Sequence, residues 1–167
     1  VFNMLDYAER DSDAEAQYDA DGNQNGMIDP GDLIIACSDG NDDDGNGFKD
    51  DISGWDTMWN DNNPYDDTRY GHGSGESRDS GAAGNDGRGD IGVCPDCSIM
   101  NVRVGDSFVV DANDFASGVV FAVESGASVI QEALGSINNT PYTMQAIDYA
   151  YNNNVVVIAS AADELSF

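Results

Sequence analysis

Three stretches of the chain hold side chains whose types and spacing suit chemistry. The first is "YGHGSGESRDSG", in which the only histidine, His72, stands between Gly71 and Gly73. Glycine on both sides lets another group come close to the ring. An imidazole changes charge in the neutral range, so His72 is a candidate general base; a purely structural histidine is the alternative on these residues alone. The second is "VVVIASAADE", Val155 to Glu164, an apolar run that ends at two carboxylates. A continuous Val/Ile run reads as a strand buried on both faces, so Asp163 stands where a buried strand delivers a side chain to its exit. A strand-end cap or a metal ligand is the other reading of Asp163.

The third is "DGNQNGMIDPGD", Asp21 to Asp32, which fits the twelve-position calcium loop. Asp21, Asn23 and Asn25 take positions one, three and five, and Gly26 takes the sharp turn at six. Met27 offers its carbonyl at seven, and Asp29 and Asp32 fill nine and twelve. Aspartate at twelve, where a bidentate Glu is usual, implies a shorter reach. A second loop, "DDDGNGFKDD", aligns Asp42, Asp44 and Asn46 before Gly47, followed by the Phe48 carbonyl and Asp50. Its position twelve is Ser53, which clamps no cation, so Asp39, Asp43 or Asp51 are alternative contributors. For both loops a solvated acidic turn is the competing reading. "VFNMLDYA" lines up with "MIDPGDLI" as the rear half of a further loop, which leads to the expectation that the chain is a fragment.

The elements that must position these groups divide at about residue 67. Residues 1–67 carry most of the acidic excess behind a net charge of -26, interleaved with Phe48, Trp55, Trp59 and Tyr65. Such charge disfavours nucleic acid or anionic membrane as partner and calls for cations, and the interleaved aromatics argue against disorder. No apolar run approaches the roughly 20 residues of a membrane span. Residues 68–167 alternate strand and helix. "SIMNVRV" (Ser98 to Val104) reads as a strand, and a helix follows from about Asp111 to Ser125, capped by Asp111 or Asp114. Its face is Phe115, Val119, Ala122 and Val123, and Gly126 ends it. "ASVIQEAL" is a second strand. Thr140 and Pro141 open another helix with Met144, Ile147 and Tyr151 on one face, before the strand Val155 to Ser160. Short connections between these elements imply an α/β fold with parallel strands, in which ligands gather beyond the strands' carboxyl ends. Cys37, Cys94 and Cys97 are an odd number. "CPDC" reads first as a local disulfide, with free thiols next; it lacks the second pair a zinc site needs.

Taken in order, these pieces resemble the subtilisin-like serine peptidases, the subtilases. "GHGSG" is similar to the Gly-His-Gly-Thr-His-like motif with which the family's catalytic histidine opens a helix, and "DDDGNGFKDDISGWD…NDNNPYDD" is similar to an acidic lead-in that often precedes it. "GVCPDCSIMNVRV" resembles the segment Gly-Val-Ala-Pro-x-Ala…Val-Arg-Val. "SGASVIQEALGS" resembles the strand ending in Ser-Leu-Gly that lines the specificity pocket, and "NNNVVVIASAADE" resembles the strand ending in Ala-Ala-Gly-Asn-Glu. The literal "AAGND" at Ala82 to Asp86 follows no buried strand and is set aside.

The resemblance implies a subtilisin-like doubly wound parallel sheet, partial in this chain and preceded by an acidic calcium-loop region. It also implies a secreted, Ca2+-stabilised serine endopeptidase acting on peptides or proteins. His72 would be its general base, and Ala133, Leu134 and Gly135 would line the substrate strand. Asp163 would stand in the place of the oxyanion-hole asparagine. An ionised carboxylate only accepts hydrogen bonds, so Asp163 donates there only when protonated. Gly75 replaces the family's second histidine, and Glu76 and Arg78 stand where its helix is small and apolar. No Val-x-Asp-Ser/Thr-Gly strand precedes His72; Asp56 is a poor stand-in, because its surroundings match the acidic lead-in. None of Ser74, Ser77, Ser80 and Ser160 has the nucleophile's context, so the triad Asp and Ser are expected outside this chain, which should be inactive alone. The alternative class is a non-catalytic calcium-binding pseudopeptidase or dockerin-like module.

Overall fold

A computed structural model describes residues 21–26, 29–66, 68, 70–85, 87, 89–107 and 109–161. Asp163 and Met27 lie outside them. Helix α1 (Pro30–Cys37) begins at a capping box: the Asp29 side chain accepts from the Gly31 N–H, the Asp32 side chain accepts from the Asp29 N–H, and Pro30 supplies the first turn. The apolar side of α1, Leu33 and Cys37, is buried with Ile52. Cys37 keeps its thiol, whereas Cys94 and Cys97 form the expected local disulfide.

Strand β1 (Gly54–Asp56) is buried throughout and pairs in parallel with β2 (Asn101–Arg103), a shorter ladder than the expected strand Ser98 to Val104. Gly54 has φ +119°, and a Cβ there would lie 2.0 Å from the Asn101 carbonyl oxygen, so only glycine lets the two backbones meet. Helix α2 (His72–Gly81) contains no buried residue. Helix α3 (Ala112–Glu124) is capped by Asp111, whose carboxylate accepts from the Asn113 N–H, and Gly126 follows its end at φ +81°. Phe115, Val119 and Ala122 are buried as the periodicity requires, and Ala116, Gly118 and Phe121 are buried as well, so α3 packs on more than one side. A Cβ on Gly118 would lie 2.8 Å from Val104 Cγ1, which is how closely α3 lies over the β2 segment.

Strand β3 (Val129–Glu132) pairs in parallel with β4 (Val156–Ala159), and α4 (Pro141–Asn152) joins them, capped by Thr140 with Pro141 in its first turn. The alternation of strand and helix with parallel pairing makes the fold α/β. The core gathers Val110, Phe115, Ala116, Val119, Ala146, Ala150 and Val155, with Val104, Ile130, Leu134, Ile147 and Val157 packed against it.

Two expectations are corrected. The face of α4 against the core is Thr143, Ala146 and Ala150, while Met144 and Tyr151 are 61% and 81% exposed; Ile147 alone of the expected face packs inward. Small residues at the contact let α3 and α4 approach closely, and a face of long side chains would hold them apart. The Val155 to Ser160 run is not buried on both faces. Val157 packs on the core, whereas Val156 and Ile158 are each 52% exposed, beside Val129 at 59%. Among the described residues the strands form two separate pairs, β1 with β2 and β3 with β4.

Replacing Gly54 with Ala sets a methyl group against the Asn101 carbonyl at a left-handed backbone position. We expect a loss of roughly 1–3 kcal/mol in urea unfolding. An unchanged unfolding midpoint would contradict the close approach of β1 to β2.

Candidate functional site

Helix α2 begins at His72, where the resemblance implies that a helix opens. Gly71 enters it at φ 77°, and its N–H donates to Asp66 Oδ2 at 2.5 Å. A side chain at Gly71 would be strained there, which gives the glycine before His72 a physical reason. The imidazole is 37% exposed, its Nε2 lies 3.8 Å from Glu76 Oε1 one turn on, and the Tyr70 ring lies 6.0 Å away.

The strand face nearby comes from β3. Side chains alternate along it, so Val129, Gln131 and Ala133 point one way and Ile130, Glu132 and Leu134 the other. Leu134 and Ile130 pack into the core. Gln131 reaches α2: its Oε1 accepts from Ser80 Oγ at 2.7 Å, and its Nε2 donates to Glu76 Oε2 at 3.3 Å. Of the residues expected to hold an extended peptide, Ala133 is half-buried, and Gly135 carries a backbone carbonyl that already accepts from the Val110 N–H at 2.9 Å. Burial raises the Glu132 carboxyl above the ordinary carboxylate range. The structure brings Glu76 and Ser80 to Gln131, with His72 beside Glu76; the sequence assigns no role to Gln131, and only the i, i+4, i+8 spacing of His72, Glu76 and Ser80 hints at a shared stripe.

Asp56 is occupied elsewhere. It is fully buried, its Oδ2 accepts from Arg103 Nη1 at 2.8 Å, and its Oδ1 accepts from the N–H groups of Met58 and Trp59. Its carboxylate is thus engaged by Arg103 and by the turn that follows β1. Together with Trp59, Asp61, Asn63, Tyr65 and Arg103 it lines a cavity of about 250 Å³.

The two acidic loops fold alike. Asp21 accepts from the N–H groups of Asn25 and Gly26, and Asn23 Oδ1 accepts from Asn25; one loop later Asp42 accepts from Asn46 and Gly47, and Asp44 Oδ1 accepts from Asn46. Gly26 and Gly47 both take positive φ, 85° and 95°, at the turn the pattern assigns them. Residues at loop positions one, three and five carry oxygen donors, the hard set that suits Ca2+. Beyond position six the loops diverge. Asp29 accepts from the side-chain amides of Asn23 and Asn25, and Asp32 is buried against the Asn23 and Asp29 N–H groups. Asp50 instead turns back to the N–H groups of Asp39 and Gly40, and it is the buried Asp51 that accepts from the Asn46 amide. The amide at position five of this loop thus meets Asp51, one of the alternative contributors, where its counterpart in the first loop meets Asp29. The Phe48 ring enters the core. Among the described residues no three His, Cys, Asp or Glu side chains converge as a metal-binding group.

The sequence profile of the Subtilase family matches residues 10–166. Thermitase of Thermoactinomyces vulgaris is 34% identical over 113 residues, 67% of this chain and 40% of its own length. A thermophilic serine proteinase of Bacillus sp. (strain AK1) is 33% identical over 67% of this chain and 28% of its own length. Subtilisin of Bacillus sp. (strain TA39) is 32% identical over 57% of the chain and 24% of its length. The matches therefore span less than half of each of these relatives.

Hydrogen bonds, first from the Asn25 amide and then from Gly31 and Asn23, hold the Asp29 carboxyl below its ordinary range against the effect of burial. Its folded pKa is below the unfolded one, so this stabilisation is complete above the unfolded value and is lost as pH falls through the folded one. We expect Asp29→Ala to cost about 1 kcal/mol through the lost cap, and to flatten the acid limb of stability against pH measured by chemical unfolding. An acid limb identical to that of the wild type would refute this role.

Proposed function

The chain belongs to the subtilase family, and from that premise we propose that it forms part of a secreted, calcium-stabilised serine endopeptidase with the family's doubly wound parallel sheet. The observation that carries the proposal is His72 at the first position of α2, behind a left-handed Gly71, in the motif that resembles the family's histidine segment. In this reading residues 1–67 are a calcium-loop region set before the peptidase part, residues 68–167, although pairing of β1 with β2 joins the two. The disulfide Cys94–Cys97 supports an oxidising compartment.

The reaction is acyl transfer from a peptide to a serine hydroxyl and then to water. His72 takes the proton as the hydroxyl attacks the carbonyl carbon, and returns it to the departing amine. That serine and the carboxylate orienting the imidazole belong to sequence outside this chain. The peptide lies extended along Ala133, Leu134 and Gly135. Asp163, which follows β4 in the sequence, assists the oxyanion as a donor in its protonated form and opposes it when ionised.

Calcium would be held by Asp21, Asn23, Asn25, Asp29 and Asp32 with the Met27 carbonyl, and by Asp42, Asp44 and Asn46 with the Phe48 carbonyl and an acid at Asp50 or Asp51. The ion supplies positive charge that offsets the net charge of -26.

Two measurements test this. In the full-length protein, serine labelling by a fluorophosphonate should vanish on His72→Ala; labelling that persists removes His72 as general base, and a full-length protein that never labels favours a binding module. Calorimetric titration with Ca2+ should show two classes of site, one lost on Asp21→Ala and the other on Asp44→Ala. A wild-type chain without saturable uptake would refute both.

A further inference from the structure

We infer that Gln131 is a positioning residue for His72, clamping the helix that His72 opens onto the exposed face of β3 through Glu76 and Ser80. Its functional meaning rests on the proposed role of His72, but the contacts stand apart from that role. Helix α2, "HGSGESRDSG", buries none of its residues, so apolar packing does not seat it. Its C-terminal end is tied by backbone: the N–H groups of Val93 and Cys94 donate to the carbonyls of Asp79 and Ser80 at 3.1 and 2.8 Å, and Ile99 lies against Gly81. Those contacts sit two turns or more from His72.

The stripe His72, Glu76 and Ser80 repeats every fourth residue and faces one way. Gln131 spans the last two. Its carbonyl oxygen accepts from Ser80 Oγ and its amide nitrogen donates to Glu76 Oε2, while the other carboxylate oxygen of Glu76 stands 3.8 Å from His72 Nε2. A hydroxyl that donates and a carboxylate that only accepts need a partner with both capacities on one side chain, which an amide has and a carboxylate lacks. The strand beneath is fixed by its parallel ladder with β4 and by Ile130 and Leu134 in the core. Gln131 therefore carries the rigidity of that ladder to the carboxylate beside the imidazole. Such support of a reacting group by a hydrogen-bonded neighbour sets its orientation.

His72 is the only histidine, so its ring signals in the 15N-histidine-labelled chain are a direct reporter. Gln131→Met keeps the length and removes both hydrogen bonds. Gln131→Glu keeps the acceptor for Ser80 and sets a carboxylate against Glu76. Gln131 is exposed, so neither should alter the unfolding midpoint. We expect both to shift the His72 ring resonances and to speed amide hydrogen exchange over residues 73–80 by about tenfold, with α3 and α4 unchanged. Ring signals and exchange identical to wild type in Gln131→Met would overturn the inference, as would a uniform acceleration across all helices. In the full-length enzyme the same variant should lower kcat by about tenfold with KM held, because a misoriented base acts on the reacting centre and not on substrate binding. The ring and exchange readouts need no catalysis, so the clamp and the general-base role of His72 can fail separately.

Discussion

The constraint on which the rest depends is electrostatic: 32 acidic side chains share 167 residues with six Lys and Arg. Carboxylates crowded in turns repel unless donors or cations meet them. The chain's own answer is to turn the loop carboxylates onto backbone N–H groups. Asp21 and Asp42 each take two, Asp50 takes two, and Asp29 and Asp32 cap α1 and the loop before it. Each bond removes an unsatisfied donor and spreads negative charge over peptide dipoles. Repulsion is still visible in Asp114, whose carboxyl is raised first by burial and then by Asp111 and Asp56. One of the six bases, Arg103, is placed largely within the protein, against the fully buried Asp56 and also Asp106. Breaking such a pair by removing one partner typically costs about 3–5 kcal/mol, since the other charge stays buried.

Charge alone does not fold the acidic half. What attaches it to the helices is an aromatic seam: the Phe48 ring lies edge-on to both Trp55 and Phe121, at 5.1 and 4.8 Å, and Trp55 stacks on Phe121 at 6.1 Å. Pairs of this kind add about 0.5–1.5 kcal/mol beyond the area they bury. Phe48 follows Gly47 directly, so the sharp turn of the second acidic loop decides where the ring enters the core. Asp51 adds a polar link, accepting from Asn46 and from Ser125 just past α3. Loop geometry and core packing are thus one mechanical unit, formed by Phe48 and Trp55, two of the aromatics that argued against disorder in the sequence, together with Phe121 of α3.

What the sequence revealed and what it hid follow from the range of the interactions. Caps and turns depend on neighbours within four residues, so Asp111, Thr140 with Pro141, and the glycines at 26, 47 and 126 were all legible, whereas the helix start at His72 came from the resemblance alone. So was the parallel α/β order, because connection lengths constrain topology. The inward face of α4 was not, since a size-based reading favours Met144 and Tyr151 while close helix contact selects Ala146 and Ala150. Burial of both faces of β4 was not, because a Val/Ile run shows that apolar cover suits a strand but not whether it is present. Asp56 with Arg103, and Gln131 with Glu76, are 47 and 55 residues apart, and nothing local marks such pairs. Asp50 and Asp51 differ by one place, and only the geometry of the turn decides which of them meets the Asn46 amide.

The exposed face of β3 and β4 and the polar character of α2 explain one another. On that face Val129, Val156 and Ile158 stand half open to solvent, and Gln131 is the polar side chain among them that reaches α2. The helix turns toward that face a stripe of polar side chains where the resemblance implies small apolar ones. Glu76 and Ser80 in that stripe replace area with direction, because a hydrogen bond holds only within a narrow range of distance and angle. Under the role proposed for His72, this clamp ties the direction of the ring to the β3 ladder through Glu76, whose second carboxylate oxygen stands 3.8 Å from Nε2.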